Sequence, residues 1–424
     1  MMEERPVIPA SLVRGSLLMI SLVALPACPL PIHVGDLPLD GSSGGSAEGG
    51  ETVDAGEAPT GGAGPGVCGD GVVGEDEACD DGNADADDGC DVMCARTGNV
   101  AWTFTPDATQ LASDVAVDAD GRIIVVGPGV LFALGPDGEV LWQRTIVDAD
   151  AYLQVVVDAA RRIYVSSEVG VVHGFDPDGE ELWREGEALP EGGQGIVAIA
   201  VSDDTLYSLL QVGGTGEEAR IFLRTHDLES GEVLTSVGTS IGVPIVGEDL
   251  AVSGEHVIAV GFGSLDDEPP LEVQAVVAVF DLAGAPISLD FANSVGEGWR
   301  AAAATSDGGF VLAGSGPVVT VRRLDADLQV LWNHTDEGFF GSWVNDIAVG
   351  PGDVVAMAGH GKLEHQGGFV RRFSAPGEPA WTSAFESQQQ DGFAQAHALA
   401  FGPDFLVGLG TTDESGWIRR FALE

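Results

Sequence analysis

One nonapeptide recurs along the C-terminal three quarters of this chain, and its spacing restricts the fold more than any other feature. Leu134-Gly-Pro-Asp-Gly-Glu-Val-Leu-Trp142 is followed by Phe175-Asp-Pro-Asp-Gly-Glu-Glu-Leu-Trp183, nearly a copy. Weaker copies run from Phe280 to Ser288, Leu324 to Trp332 and Phe373 to Trp381, with a degenerate one from His226 to Leu234. Upstream of each lies an alternating strand, a turn and a β-branched strand, clearest in Asp114-Val-Ala-Val-Asp-Ala-Asp-Gly-Arg-Ile-Ile-Val-Val126. Period-two alternation broken by Asp-Gly turns specifies strands, not helical solenoids. A period of about 40 to 54 residues with four short strands per unit predicts the blades of a β-propeller.

Six complete units end near Trp142, Trp183, Leu234, Ser288, Trp332 and Trp381. A seventh starts at Ala396-His-Ala-Leu-Ala-Phe401 and stops after its third strand, Gly416-Trp-Ile-Arg-Arg-Phe421. The missing outer strand matches the other end of the segment, because Gly98-Asn-Val-Ala-Trp102 aligns with Gly138-Glu-Val-Leu-Trp142. The two ends are therefore expected to share one blade, which covers strand edges that would otherwise be open. The expected fold is all-β: a seven-bladed propeller over residues 97–424, closed by an N-terminal strand.

Three segments precede it. Residues 1–27 read as a signal peptide, with Arg5 and Arg14 before an apolar run from Leu17 to Ala27 that is too short to span a bilayer. That run ends Leu25-Pro26-Ala27-Cys28, which resembles a bacterial lipobox and implies diacylation of Cys28. Ordinary cleavage nearby, giving a secreted or periplasmic protein, is the alternative. Residues 28–67 are rich in Gly, Ser, Pro and acids, and between Pro29 and Val67 there is no aromatic residue, Lys or Arg. Such a stretch cannot bury enough apolar area to offset its ordering entropy, so it reads as a disordered tether with a reach of about 35 Å.

Residues 68–96 hold Cys68, Cys79, Cys90 and Cys94, four of the five cysteines. In an exported protein they are expected to form two disulfides, which leaves Cys28 as the odd cysteine where acylation would consume it. The elements Cys68-Gly-Asp-Gly71, Cys79-Asp-Asp-Gly-Asn83 and Asp88-Gly-Cys90 resemble the Myxococcus-type cysteine-rich repeat. That resemblance implies an extracellular, disulfide-bonded spacer with no catalytic residue. The propeller units resemble the quinoprotein (PQQ-like) repeat, which implies the fold and leaves the chemistry open.

Net charge is −49, from 67 acids against 18 bases. A surface this acidic repels phosphate backbones, so nucleic acid is excluded as a partner. Asp80, Asp81, Asn83, Asp85, Asp87 and Asp88 offer hard oxygen ligands on one short loop. They make Ca²⁺ the one candidate cofactor, against the simpler reading of a solvated acidic turn. The EF-hand pattern is incomplete, with Ala86 at the turn-glycine position and Val92 at the twelfth. Trp102, Trp142, Trp183, Trp332 and Trp381 recur at one phase of the repeat and are expected to pack between blades.

Several weaker motifs remain. Gly238-Thr-Ser240-Ile-Gly242 has the G-x-S-x-G form, but an all-β repeat lacks the strand-to-helix turn a nucleophile elbow needs. His360 and His365, with Glu364, are a metal candidate on one loop. Arg322-Arg323, Arg371-Arg372 and Arg419-Arg420 recur on third strands, to pair with carboxylates or to face the channel. Ser264-Leu-Asp-Asp-Glu-Pro-Pro270 in the longer fourth blade is a candidate binding loop.

The expected function is a non-catalytic binding or scaffold propeller displayed at the cell surface or outer membrane. It would be monomeric, held to the membrane only by lipid, and take a protein or glycan ligand. The alternative is a PQQ-like propeller enzyme, an oxidoreductase or a hydrolase or lyase. The lack of an adjacent-cysteine pair argues against a quinone dehydrogenase.

Overall fold

The computed structural model describes residues 68–423 apart from 75–76, 84, 106–111, 147–151, 168–169, 187–194, 213–219, 240–244, 265–272, 292–297, 317, 337–341, 363–365, 375–376, 388–392 and 414. The signal peptide, Cys28, the tether, Ser240, Glu364 and His365 lie outside the described residues, as does most of the Ser264–Pro270 loop. The strands form seven separate antiparallel sheets of four. Their inner strands are Asp114–Val117, Tyr152–Val157, Ile196–Val201, Ile245–Ser253, Gly298–Ala304, Trp343–Gly350 and Ala394–Phe401. Among the described residues the helical structure is one 3-10 turn, Pro351–Asp353, and no helix is long and apolar enough to cross a membrane.

Each sheet reads the sequence pattern directly. Second and third strands such as Ile123–Gly127 and Val130–Leu134 are buried at every position, because a neighbouring blade covers each face. That double burial explains their unbroken apolar runs. Outer strands such as Val140–Thr145 alternate between exposed and half-buried positions. The buried residues fall into seven clusters, each shared by two adjacent blades; Val115, Phe132 and Leu134 of the first pack with Leu409 and Ile418 of the seventh. The ring is closed: seven blades meet at seven interfaces.

The last sheet runs, outside to inside, Val100–Phe104, Ser415–Ala422, Phe405–Thr412 and Ala394–Phe401. Val100 lies opposite Phe421 and Trp102 opposite Arg420, so residues near the two ends of the propeller pair in one blade. The Ala422 N–H also donates to the Asn99 carbonyl at 2.9 Å.

The repeated tryptophans link five of the seven blades to the next. A Cβ on Gly138 would lie 3.2 Å from the Trp102 ring, and one on Gly179 would lie 2.6 Å from Trp142. The same contact joins Gly231 to Trp183, Gly377 to Trp332 and Gly98 to Trp381. In each case the ring of one blade rests on the turn that precedes the outer strand of the following blade. Gly98 completes the circuit across the chain ends. The Trp102 and Trp183 Nε1–H groups donate to the turn carbonyls of Pro136 and Leu228, at 2.9 and 3.2 Å.

One sequence alignment needs correction. In the third blade the Trp position is occupied by Thr235, which rests on Gly284, and Leu234 is 58% exposed. The turn from His226 to Gly231 is one residue longer than that from Phe175 to Gly179, which moves the frame by one. In the fifth blade Leu328 takes the turn glycine's place at φ +62°, a left-handed conformation that few side chains adopt.

The cysteine-rich segment is held by Cys68–Cys94 and Cys79–Cys90 bonds. It continues into the propeller through backbone bonds from Thr97 N to Gly89 O and from Val100 N to Asp87 O.

Gly179 has φ +78° and its α-carbon faces the Trp142 ring. Substituting alanine there should destabilise the protein by about 1–3 kcal/mol, since a left-handed backbone and a blocked Cβ coincide. Denaturant midpoints of wild type and Gly179→Ala measure this, and an unchanged midpoint would remove the tryptophan contact from the account.

Candidate functional site

Six of the seven inner strands carry a register shift, and in five of them the extra residue turns toward the propeller axis. Val197, Glu248, Arg300, Asn345 and His397 are such residues, and with Ser113 they line an axial cavity of about 350 Å³. Its charged pair is Arg300 with Glu248, Nη1 to Oε1 at 2.6 Å.

The residue after each of these positions does different work. Asp114 accepts from Val155 N–H of the next blade at 2.8 Å and from its own neighbour Val115 at 2.8 Å. Asp249 accepts from Ala302 N–H at 2.9 Å and Asp346 from Leu399 N–H at 2.6 Å, each again reaching the following blade. Gln154 does the same with Ile199 N–H at 2.7 Å, and its amide donates to Asp249 at 3.0 Å. The remaining blades have Ala198, Ala301 and Ala398 there. These bonds satisfy amides of inner strands, which are sheet edges with no further strand to pair with, and those that reach the next blade draw the inner strands together around the axis.

Burial raises the pKa of these carboxyl groups. Asp114 is pushed up to about 7, against the pull of its backbone donors, and Asp249 to about 6. Asp346 is raised by burial and further by the charges of Asp114 and Asp249. Glu248 is raised by burial despite Arg300. Burial lowers His360, and lowers His397 to about 4, so both rings are neutral at pH 7.

In the acidic loop the candidate oxygen ligands also accept hydrogen bonds from nearby groups. Both Asp80 oxygens are used by the N–H groups of Gly69, Asp70, Gly71 and Gly82. Asp81, Asn83 and Asp85 each accept from a backbone N–H two residues ahead, Asn83 donates to Asp88, and Asp87 pairs with Arg419 at 3.3 Å. Short acidic side chains close local turns here. Among the described residues, the group of His, Cys, Asp and Glu ligand atoms close enough to share an ion is Glu77, Asp80 and Cys94, and Cys94 is already disulfide-bonded.

Five of the paired arginines meet carboxylates or aromatic faces. Arg323 meets Asp307 at 2.6 Å, Arg371 pairs with Asp336, and Arg420 lies over the Phe405 ring. Arg322 stacks on Trp299, Arg419 on Trp417. Among the described residues lining the axial cavity, the arginine is Arg300, which the sequence pattern did not single out. Asp114, Asp249 and Asp346 were missed too, although each precedes an apolar-Ala-Val run at the same phase of the repeat: Val115-Ala-Val117, Leu250-Ala-Val252 and Ile347-Ala-Val349.

Residues 91–240 match the protein family described as outer membrane protein assembly factor BamB. No curated protein matches the chain by sequence. Among solved structures, the chain is similar to the WD40 β-propeller domain of Doa1, at 13% identity and a TM-score of 0.56, covering 77% of this chain and 97% of that one. It is also similar to the Dos1 propeller, at 13% identity and a TM-score of 0.51 over 76% and 94% of the two chains. Virginiamycin B lyase from Staphylococcus aureus matches at 9% identity and a TM-score of 0.52, over 76% and 99%. At these identities the likeness is one of fold.

The raised carboxyls give stability a defined pH dependence. Their folded-state pKa exceeds the unfolded value, so their contribution is complete below about pH 4 and is lost as pH rises through 6 to 7. Denaturant midpoints measured from pH 4 to 8 should therefore fall across that window, and Asp114→Asn should flatten the fall. A midpoint that stays level across that window in the wild type, with no change of slope in Asp114→Asn, would mean that the backbone donors keep the carboxyls ionised.

Proposed function

We propose that this chain is a binding and scaffold propeller of the cell envelope, exported, acylated at Cys28 and raised from the membrane by residues 29–67. The observation that carries this reading is the engagement of the axial acids. Asp114, Asp249 and Asp346, with Gln154, hold the amides of the following blade, so the groups best suited to acid–base work serve the ring itself. A ring braced in that way presents fixed faces, which is what a recognition scaffold requires.

Other features support the same reading. The match of residues 91–240 is to a factor named for outer membrane protein assembly. Leu25-Pro26-Ala27-Cys28 has the form of an acylation site, and residues 68–96 have the form of a Myxococcus-type surface spacer. The net charge of −49 favours neutral or basic partners.

Two measurements test it. Cells expressing the full chain, fed a labelled fatty acid, should incorporate label into the wild type and not into Cys28→Ser; equal labelling of both would rule out this anchor. Affinity capture from solubilised envelopes with the mature protein should return a defined partner. Recovery of catalytic turnover on a bound small molecule, with no partner, would overturn the scaffold reading.

A further inference from the structure

Two large aromatic side chains stand well exposed among the described residues: Trp343 at 48% and Phe393 at 39%. Neither belongs to the interblade tryptophan series. Trp343 opens the inner strand of the sixth blade, and Phe393 immediately precedes that of the seventh. His360 lies opposite Trp343 in the sheet, and its ring meets Phe393 edge-on at 5.1 Å. The three rings thus form one strip across two blades. Arg300 lies over the Trp343 ring at 4.7 Å and over Phe262 at 4.9 Å, while its Nη1 holds Glu248 at 2.6 Å. Asn345 Nδ2 lies 3.4 Å from His360 Nδ1 and donates to the Ala396 carbonyl at 2.7 Å. Glu248, Arg300 and Asn345 also line the axial cavity, so the strip lies on its rim.

The chemistry of this rim is mixed in a specific way. An indole stacked on a guanidinium that is itself fixed by a carboxylate is held in place, so little side-chain entropy remains to be lost on binding. Beside it stand an acceptor, Glu248, and donors on Arg300 and Asn345. The neighbouring imidazoles are uncharged at pH 7, since burial lowers both His360 and His397. The rim's one fixed positive charge, Arg300, is matched by Glu248. An anionic ligand would meet the field of a chain carrying −49. A purely apolar partner would desolvate Arg300, Glu248 and Asn345 without replacing their water. A neutral ligand with an apolar face and a hydroxyl-bearing edge satisfies both halves of the rim.

We propose that the rim formed by Trp343, His360 and Phe393, with Arg300, Glu248 and Asn345, binds a neutral saccharide. A sugar ring lies with its C–H face on Trp343, its hydroxyls turn toward Glu248, Arg300 and Asn345, and the chain runs on toward Phe393. This assignment rests on the binding-propeller reading and names its ligand class.

The test uses the purified full chain and three neutral probes: cellohexaose, maltohexaose and the tetramer of N-acetylglucosamine. Titration calorimetry and intrinsic tryptophan fluorescence should show saturable binding of at least one. Trp343→Ala and Phe393→Ala should each weaken it by about tenfold or more, with melting temperatures held near wild type as the check on folding. Absence of saturable binding for all three at millimolar concentration would overturn the assignment, as would binding that both variants leave intact. Capture of an envelope protein that Trp343→Ala abolishes, with no sugar bound, would also overturn it, while leaving the binding-propeller reading in place. Failure of both sugar binding and partner capture would remove the two together.

Discussion

A sheet edge carries a row of N–H and C=O groups that must find partners, and in a ring of blades the junction where the chain begins and ends is the place most exposed to failure. Here that junction is covered by Val100–Phe104, which pairs with Ser415–Ala422 across more than three hundred residues of sequence. Gly98 seats the Trp381 ring at the same place, so the interblade tryptophan contact also passes through the junction. Without that strand the seventh blade would have three strands and an open face, and the cluster it shares with the first blade would lose Trp102 and Phe104. The axial cavity depends on this closure as well, because Asp346 binds Leu399 of the seventh blade and His397 lines the cavity from it.

Closure has a consequence at the axis. Bulges in the inner strands bring Glu248, Arg300, Asn345 and His397 inward, and as sheet edges these strands present backbone amides with no further strand to pair with. Asp114, Gln154, Asp249 and Asp346 take up those amides across blade boundaries, and the charges of Asp114 and Asp249 add to the burial that raises Asp346. The axis therefore carries two sets of residues: carboxyls tie the blades together, while the bulged Glu248, Arg300 and Asn345 remain at the cavity wall.

Much of the architecture could be read from the residues because the repeat is nearly periodic. A Gly-to-Trp interval of four residues marks the turn and outer strand in four blades, with Leu328 in the glycine's place in a fifth, and the match of Gly98–Trp102 to Gly138–Trp142 identified the shared blade. The same reasoning misplaced the third blade, where an inserted turn residue moves Thr235 into the Trp position. The axial residues were harder to see. A lone aspartate before an apolar strand resembles an ordinary turn residue, and its role appears only when seven inner strands converge. Trp343 was hidden for a related reason: it stands outside the repeat frame, and repeat-based reading discounts what does not recur. In the acidic loop the sequence shows a run of oxygen-bearing side chains but not the backbone N–H groups that they hold in their own turns.

Hydrogen exchange of individual amides addresses closure most directly. If Val100–Phe104 is an integral strand, those of its amides that bond to the neighbouring strand Ser415–Ala422 should exchange only with the global unfolding that releases Phe405–Thr412. Fast exchange of those amides, while the other three strands of the seventh blade stay protected, would show that the strand is a detachable arm and that the ring is held without it.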